Sequence, residues 1–427
     1  LENLNEPQKR AVCYDRGPLL VLAGPGSGKT RVITHRIAYL ISRGVAPDRI
    51  LALTFTNKAA EEMAARVEKL VHQKGVWIST FHSFCARILR REASLLGYGH
   101  DFTIYDTEDQ KSALKQVLAA LSIEPISDAD DFLYAISGYK NKCITPEQIL
   151  PSNYMAKATI KVYQAYQEFL HRNNAFDFDD LLLKTLEIFD HYKHVLEHYQ
   201  DKFLYILIDE FQDTNLPQYQ IAQKLAQKWR NVCGTGDPDQ SIYSWRGANI
   251  QNILKFEKDF PDTLVVKLEQ NYRSTPDILR AADAVISNNR LRKEKTLWTE
   301  NPSGSPVRMI EAFDDYQQAD GVCDDILHWK RQGLDLKEVA ILYRMNAQSR
   351  LLEMALRNNH IAYRIVGGVE FYQRCEIKDI VAYLRAIANE SDNLSLMRII
   401  NVPPRSLGKT TCDRSEERRV GKECRSR

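Results

Sequence analysis

Residues 19–30 read Leu-Leu-Val-Leu-Ala-Gly-Pro-Gly-Ser-Gly-Lys-Thr, and this stretch decides the fold class. Leu19 to Leu22 is an unbroken apolar run, the pattern of a strand buried on both faces of a sheet. Glycines then recur at 24, 26 and 28, and a helical pattern follows from Arg31 to Ser42. A glycine-rich turn between strand and helix lets backbone N–H groups converge on phosphate oxygens at the positive end of the helix dipole. Lys29 is placed to reach the β/γ-phosphates, and the Thr30 hydroxyl to ligate Mg²⁺. The strict motif has Gly where this chain has Ala23, a change that leaves the logic of the loop intact. Residues Ala23, Gly24, Pro25, Gly26, Ser27, Gly28, Lys29 and Thr30 are therefore read as a phosphate site.

Outward from this stretch, further apolar runs stand between helical patterns: Ile50 to Phe55, Trp77 to Thr80, Phe203 to Ile208, Asn231 to Thr235 and Leu264 to Leu268. Most are continuous rather than alternating, which indicates a parallel, doubly wound α/β sheet. From about Tyr98 to Gln200 the pattern is helical with no strong strand run, so this segment is read as an insertion between two strands. After Tyr272 a second α/β pattern begins, with Val307 to Ile310 and Val339 to Tyr343 as its expected strands. From about Asp379 the chain turns helical again.

A phosphate loop of this kind works with a carboxylate on a neighbouring strand. The run ending at Ile208 leads into Asp209-Glu210-Phe211-Gln212-Asp213, and an acid at the C-terminal end of a parallel strand points into the ligand crevice. Asp209 is the expected metal-side carboxylate, and Glu210 the group that polarises an attacking water.

Composition narrows the class. The 427 residues are 44% hydrophobic and 27% charged, ordinary for a globular protein and too apolar for a disordered one. No run is long and apolar enough to span a membrane, and no secretory signal precedes Gln8. The eight cysteines are scattered without a CxxC pair, which fits reduced thiols and a cytoplasmic location rather than a zinc site or a disulfide scaffold. With 58 basic against 56 acidic residues, the charge balance neither demands nor excludes nucleic acid.

Several strings in order sharpen the reading: LNEPQ at 4–8, LTFTNKAA at 53–60, STFHSF at 79–84, GDPDQSIYSWRGA at 236–248 and LEQNYRS at 268–274. Together with AGPGSGKT and DEFQD, they closely resemble the UvrD/Rep/PcrA family of superfamily-one DNA helicases, over essentially all of residues 1–413. The resemblance implies a P-loop NTPase with RecA-like parallel sheets and helical insertions: a first RecA-like domain over 1–270, the first part of a second, incomplete one over 271–378, and the start of a helical insertion domain over 379–413. It implies that Gln8 reads adenine and that Arg31 and Tyr272 sandwich the base. Gln240 becomes the γ-phosphate sensor and Arg273 an arginine finger from the second domain. Tyr243 and Trp245 become contacts to single-stranded DNA, with Arg246 a nearby phosphate or acid contact; Phe55, at the end of a buried strand, is equally a DNA contact or a core residue. His82 is equally a DNA contact or a core or capping histidine. The acids Asp177, Asp179 and Asp180 are explained as a helix N-terminal cluster favoured by the dipole. The implied cofactors are ATP and Mg²⁺. The implied activity is 3′→5′ translocation and unwinding on single strands and duplex–single-strand junctions, in repair or replication and with protein partners unidentified.

The last fourteen residues, RSEERRVGKECRSR, resemble one translated frame of a sequencing-library adapter. They are read as an artefact; without their six basic and three acidic residues, the formal charge of +2 becomes −1. The missing initiator Met suggests that a few residues are absent at the start. Two later motifs of the family are also missing, so the chain is expected to be the front part of a longer protein and defective in unwinding. Two other readings stand beside it: the helicase half of a recombinational helicase–nuclease, and an ATP- and DNA-binding module without turnover.

Overall fold

A computed structural model describes residues 2–122, 128–289, 295–366 and 374–408. The adapter-like tail, 414–427, lies outside the described residues. The chain divides into two compact units, residues 1–304 with 379–427, and residues 305–378.

The first unit is built on six parallel strands. These are β1 (Leu19–Ala23), β2 (Ile50–Thr54), β3 (Trp77–Thr80), β6 (Tyr205–Ile208), β7 (Val232–Gly236) and β8 (Leu264–Leu268), in the order β3-β2-β6-β7-β1-β8. All six were expected from their apolar runs. Alternate residues of each strand face opposite sides, and along β1, β2, β6 and β7 both sides are dry, whereas Lys267 of the edge strand β8 is exposed. Leu20, Leu22, Leu51, Leu53, Ile206 and Ile208 pack on one face with Phe84, Ile88, Leu182, Leu225 and Phe256. Leu19, Val21, Ile50, Ala52 and Leu207 pack on the other with Val32, Ile33, Ile37, Met63 and Val67. A strand with no wet face has no polar positions to alternate with, which is why the sequence runs are continuous.

The register brings the strand ends level. Leu22 pairs with Gly236, Leu53 with Ile208, and Ala23 with Leu268. The residues that follow each strand therefore line up along one edge of the sheet.

The insertion carries two short strands that its helical pattern concealed, β4 (Thr103–Tyr105) and β5 (Ala175–Asp177), paired in parallel. Three residues are too few to establish a period. The segment after Asp379 docks on this pair. Asn389 Nδ2 donates to Thr103 Oγ1 at 3.0 Å and to the Asn173 carbonyl at 3.1 Å, and Tyr105 donates to Asp392 Oδ1 at 3.0 Å.

In the second unit, the helices Asp315–Arg331 and Ser349–Asn358 share a small core of Ala319, Cys323, Ile326, Ala355, Leu356 and Ile361. The two strands expected here, 307–310 and 339–343, are a correction: both run as unpaired chain. Val339 and Ile341 rest on the helices, whereas Leu342 is 93% exposed. The alternation of a strand is present, but a strand also needs a ladder partner, and the described residues of this unit supply none.

The acids at 177–180 do more than cap a helix. Asp177 caps the helix Phe178–His191, accepting from the Asp180 N–H at 2.8 Å. Lys140, fully buried, places its ammonium 2.7 Å from Asp177 Oδ2 and 2.8 Å from Asp180 Oδ1. Tyr166 donates to the same Asp177 oxygen at 3.1 Å. Removing the cation from such a group strands two carboxylates away from water. Lys140→Met should therefore destabilise the first unit by about 3–5 kcal/mol, read as a lower urea midpoint at unchanged slope. A midpoint equal to that of the parent chain would show that the carboxylates do not need Lys140.

Candidate nucleotide and nucleic-acid site

The loop after β1 is a cradle whose carbonyls are all turned toward the protein. The Gly24 carbonyl accepts from Ser27 Oγ at 2.7 Å, Pro25 from Asn271 Nδ2 at 2.7 Å, Gly26 from the Tyr272 N–H at 3.0 Å and Ser27 from Gln8 Nε2 at 2.9 Å. With its oxygens tied down on one side, the loop is left to present N–H groups on the other, where an anion would sit. Gly26 and Gly28 hold φ values of 65° and 91°, in the left-handed region that side chains avoid. A Cβ on Gly26 would come within 2.8 Å of both Asn271 Nδ2 and Arg273 Cβ. Glycine here permits both the turn and the close approach of the 271–273 segment.

Lys29 and Thr30 open the helix Lys29–Ser42 and reach toward the ends of β6 and β7. Lys29 Nζ lies 3.4 Å from Glu210 Oε2 and donates to Gln240 Oε1 at 3.2 Å. Thr30 Oγ1 is 3.4 Å from Asp209 Oδ2. The other Asp209 oxygen accepts from Thr235 Oγ1 at 3.1 Å and from the Glu210 N–H at 3.0 Å. Burial, and next to it the Glu210 carboxylate, push the Asp209 carboxyl up to about 6. The same two causes, in the same order, push Asp213 up to about 6. Three carboxylates thus crowd one lysine, and a hydroxyl faces one of the acids. Among the described residues no three acidic, histidine or cysteine side chains are grouped to hold a metal ion by themselves, but Thr30 Oγ1 and Asp209 Oδ2 are the hard-oxygen donors that Mg²⁺ takes together with phosphate oxygens. Glu210 itself has a left-handed φ of 48°, a conformation retained where the surroundings over-determine it.

Gln8, Arg31 and Tyr272, the residues expected on the adenine side, lie near the loop. Gln8 is buried, and its amide oxygen also accepts from the Asn5 N–H at 3.1 Å, so a base edge would meet only its remaining hydrogen and lone pair. Tyr272 is exposed, its hydroxyl accepting from Asn5 Nδ2 at 2.9 Å. Arg31 is exposed, with its Cβ near Gly28. Arg273 is exposed beside Gly26 and belongs to the same compact unit as the loop.

Farther along the edge, three aromatic rings form a row. Phe55, following β2, sits 5.1 Å from Tyr243 between centroids, and Tyr243 sits 6.3 Å from Trp245. Phe55 and Tyr243 are half-buried, while Trp245 is 56% exposed. The side chain of Arg246 lies outside the described residues. Gly247, at φ 84°, closes the turn against the insertion, where a Cβ would lie 2.7 Å from Asn141 Oδ1.

Sequence reasoning missed the residues that brace this edge. Asn271 holds the loop and accepts from the N–H groups of Arg273 and Ser274 at 2.8 and 2.7 Å. Gln212 bonds to Glu210, Asp213 and the Asp237 N–H. Buried Lys295 pairs with Asp237 and, at 3.0 Å, with Asp239. The first two lie inside quoted motifs and could have been singled out there; Lys295 stands in no recognisable pattern.

His82 lies edge-on to Phe178 at 6.0 Å, and burial pulls its pKa from 6.5 down to about 4. A histidine depressed in this way stabilises the fold fully above pH 6.5, and that contribution is lost as pH falls toward 4. His82→Gln should accordingly shrink the loss of stability between pH 7 and 4.5, followed by urea denaturation at each pH. An identical loss in both chains would place His82 in water.

Comparison with known proteins adds an independent line. Residues 4–261 match the family described as UvrD/REP helicase N-terminal domain, and residues 266–423 match the UvrD-like helicase C-terminal domain. Among curated proteins, the chain is 50% identical over 420 residues to the ATP-dependent DNA helicases PcrA of Staphylococcus epidermidis and Staphylococcus aureus. The alignment covers 97% of this chain and 58% of each relative, so the chain spans a little under three-fifths of their length.

Proposed function

The chain belongs to the UvrD/Rep helicase family, and on that premise we propose that it binds Mg·ATP at the 23–31 loop and single-stranded DNA along the same edge, as the ATP- and DNA-binding part of a motor of 3′→5′ polarity. The observation that carries this reading is the shared edge. The phosphate cradle, the Asp209–Glu210 carboxylates and the aromatic row all follow strands of one sheet, and Gln240 touches Lys29 three residues before Tyr243. Duplex–single-strand junctions are the expected substrate, and repair or replication in the cytoplasm the expected setting.

In this mechanism the loop N–H groups and Lys29 hold the triphosphate. Thr30 and Asp209 hold Mg²⁺, which when bound neutralises charge on the phosphate oxygens. Glu210, 36% exposed in its side chain and next to Asp209, accepts the proton of the attacking water. Gln240 bridges Lys29 and Asp237, at 3.2 and 2.7 Å, so a change at the phosphates is felt by the turn that leads to the rings. Arg273, beside Gly26, supplies positive charge to the transferring group. Gln8, Arg31 and Tyr272 surround the base. Phe55, Tyr243 and Trp245 offer ring faces to successive nucleobases, a sequence-tolerant contact because every base has a π-face. Arg246 contributes charge to the strand.

The nucleotide half of this reading is tested by calorimetry with Mg·ATP. Lys29→Ala should weaken binding by roughly 1.5–3 kcal/mol, the value of a charge-assisted contact, whereas Glu210→Gln should keep binding and lose turnover. Equal affinity in the parent and Lys29→Ala chains would reject the cradle.

The DNA half is tested by anisotropy with unrelated labelled oligonucleotides. Trp245→Ala should cost about 1–3 kcal/mol, one base stack, and by a similar amount for each oligonucleotide. Loss confined to one sequence would mean that Trp245 reads bases rather than supporting them.

A further inference from the structure

We infer that Gln212 is a positioning residue that links the water-activating Glu210 rigidly to the turn carrying the aromatic row, so that nucleotide and DNA binding change each other through it. This inference rests on the function proposed above. Gln212 lies in the short turn Phe211–Asp213 after β6 and is 1% exposed. Its amide is used at both ends. Nε2 has two hydrogens and donates one to Glu210 Oε2 at 2.9 Å and the other to Asp213 Oδ2 at 3.1 Å. Oε1 accepts from the Asp237 N–H at 2.9 Å, and the Gln212 carbonyl accepts from Ser241 Oγ at 3.2 Å. Gln212 therefore grips the turn 237–241 at its first and last residues.

That turn has the nucleotide contact within it and the DNA contact just beyond it. Gln240 is bonded to Lys29, and Tyr243 follows Ser241 by two residues. A shift of the turn, started from either side, moves the Asp237 N–H. The planar amide passes the motion to the Glu210 carboxylate, because a buried side chain packed on all sides has nowhere to absorb it. Gly236 is fitted to the same amide: a Cβ there would lie 2.7 Å from Gln212 Oε1. The chemistry requires glutamine. Glutamate at this position could still accept from Asp237 but could donate to neither carboxylate, and methionine could do neither.

The test uses the 427-residue chain and a ratio of dissociation constants, which a partly inactive preparation does not move. Affinity for a labelled oligo-dT is measured with and without a non-hydrolysable Mg·ATP analogue. The parent chain should show a change of roughly fivefold or more, the usual scale of coupling between sites. Gln212→Met should bring the ratio close to one, whatever it does to either affinity alone. Gln212→Glu should do the same while retaining the Asp237 contact, and it decides the matter if the methionine variant does not fold. A parent-like ratio in a folded variant, or a ratio of one in the parent when both ligands bind, overturns the role of Gln212. If the parent binds neither the analogue nor the oligonucleotide, the function proposed above fails instead.

Discussion

Parallel pairing forces the chain back to the same end of the sheet before each new strand begins. In this protein the returns are helical and cover both faces of the central strands, so β1, β2, β6 and β7 carry no charged side chain. Chemistry is confined to the one edge where β1, β2, β6, β7 and β8 all stop, and the level register of Leu22 with Gly236 and Leu53 with Ile208 makes that edge a line. A glycine-rich cradle at one point and a row of tilted rings at another follow from this confinement.

The second consequence is electrostatic. Burial first, and then the neighbouring Glu210 carboxylate, raise the carboxyls of Asp209 and Asp213, so gathering these acids around a single lysine is unfavourable without further positive charge. Next to it, the Asp237 and Asp239 carboxylates share one buried cation from within the chain, Lys295.

Much of this was legible beforehand, for physical reasons. Doubly buried strands have to be largely apolar, so their runs stand out, and a phosphate loop needs glycines at fixed spacing, so AGPGSGKT does too. Gln212, Asn271 and Lys295 were harder to read, because each acts through partners distant in sequence: Lys295 reaches Asp237, and Asn271 reaches Pro25. Lys140 also escaped notice, since a lysine is ordinarily a surface residue and its burial depends on two acids 37 and 40 positions away. The two strands expected in the second unit failed for the opposite reason. Their alternation is real, with Ile341 inward and Leu342 outward, but alternation says nothing about whether a neighbouring strand is at hand.

The helix Glu6–Cys13 holds Gln8 against the phosphate loop, yet eight residues are too few to persist as an isolated helix. Its closing carbonyls are satisfied from elsewhere: Arg36, buried on the second helix, donates to Ala11 at 3.0 Å and to Tyr14. Although this segment stands first in the chain, it has no complete partner until β1 and the helix after it are in place. During synthesis it would therefore wait for residues made later, and its docking would mark the moment at which the first strand–loop–helix unit is finished.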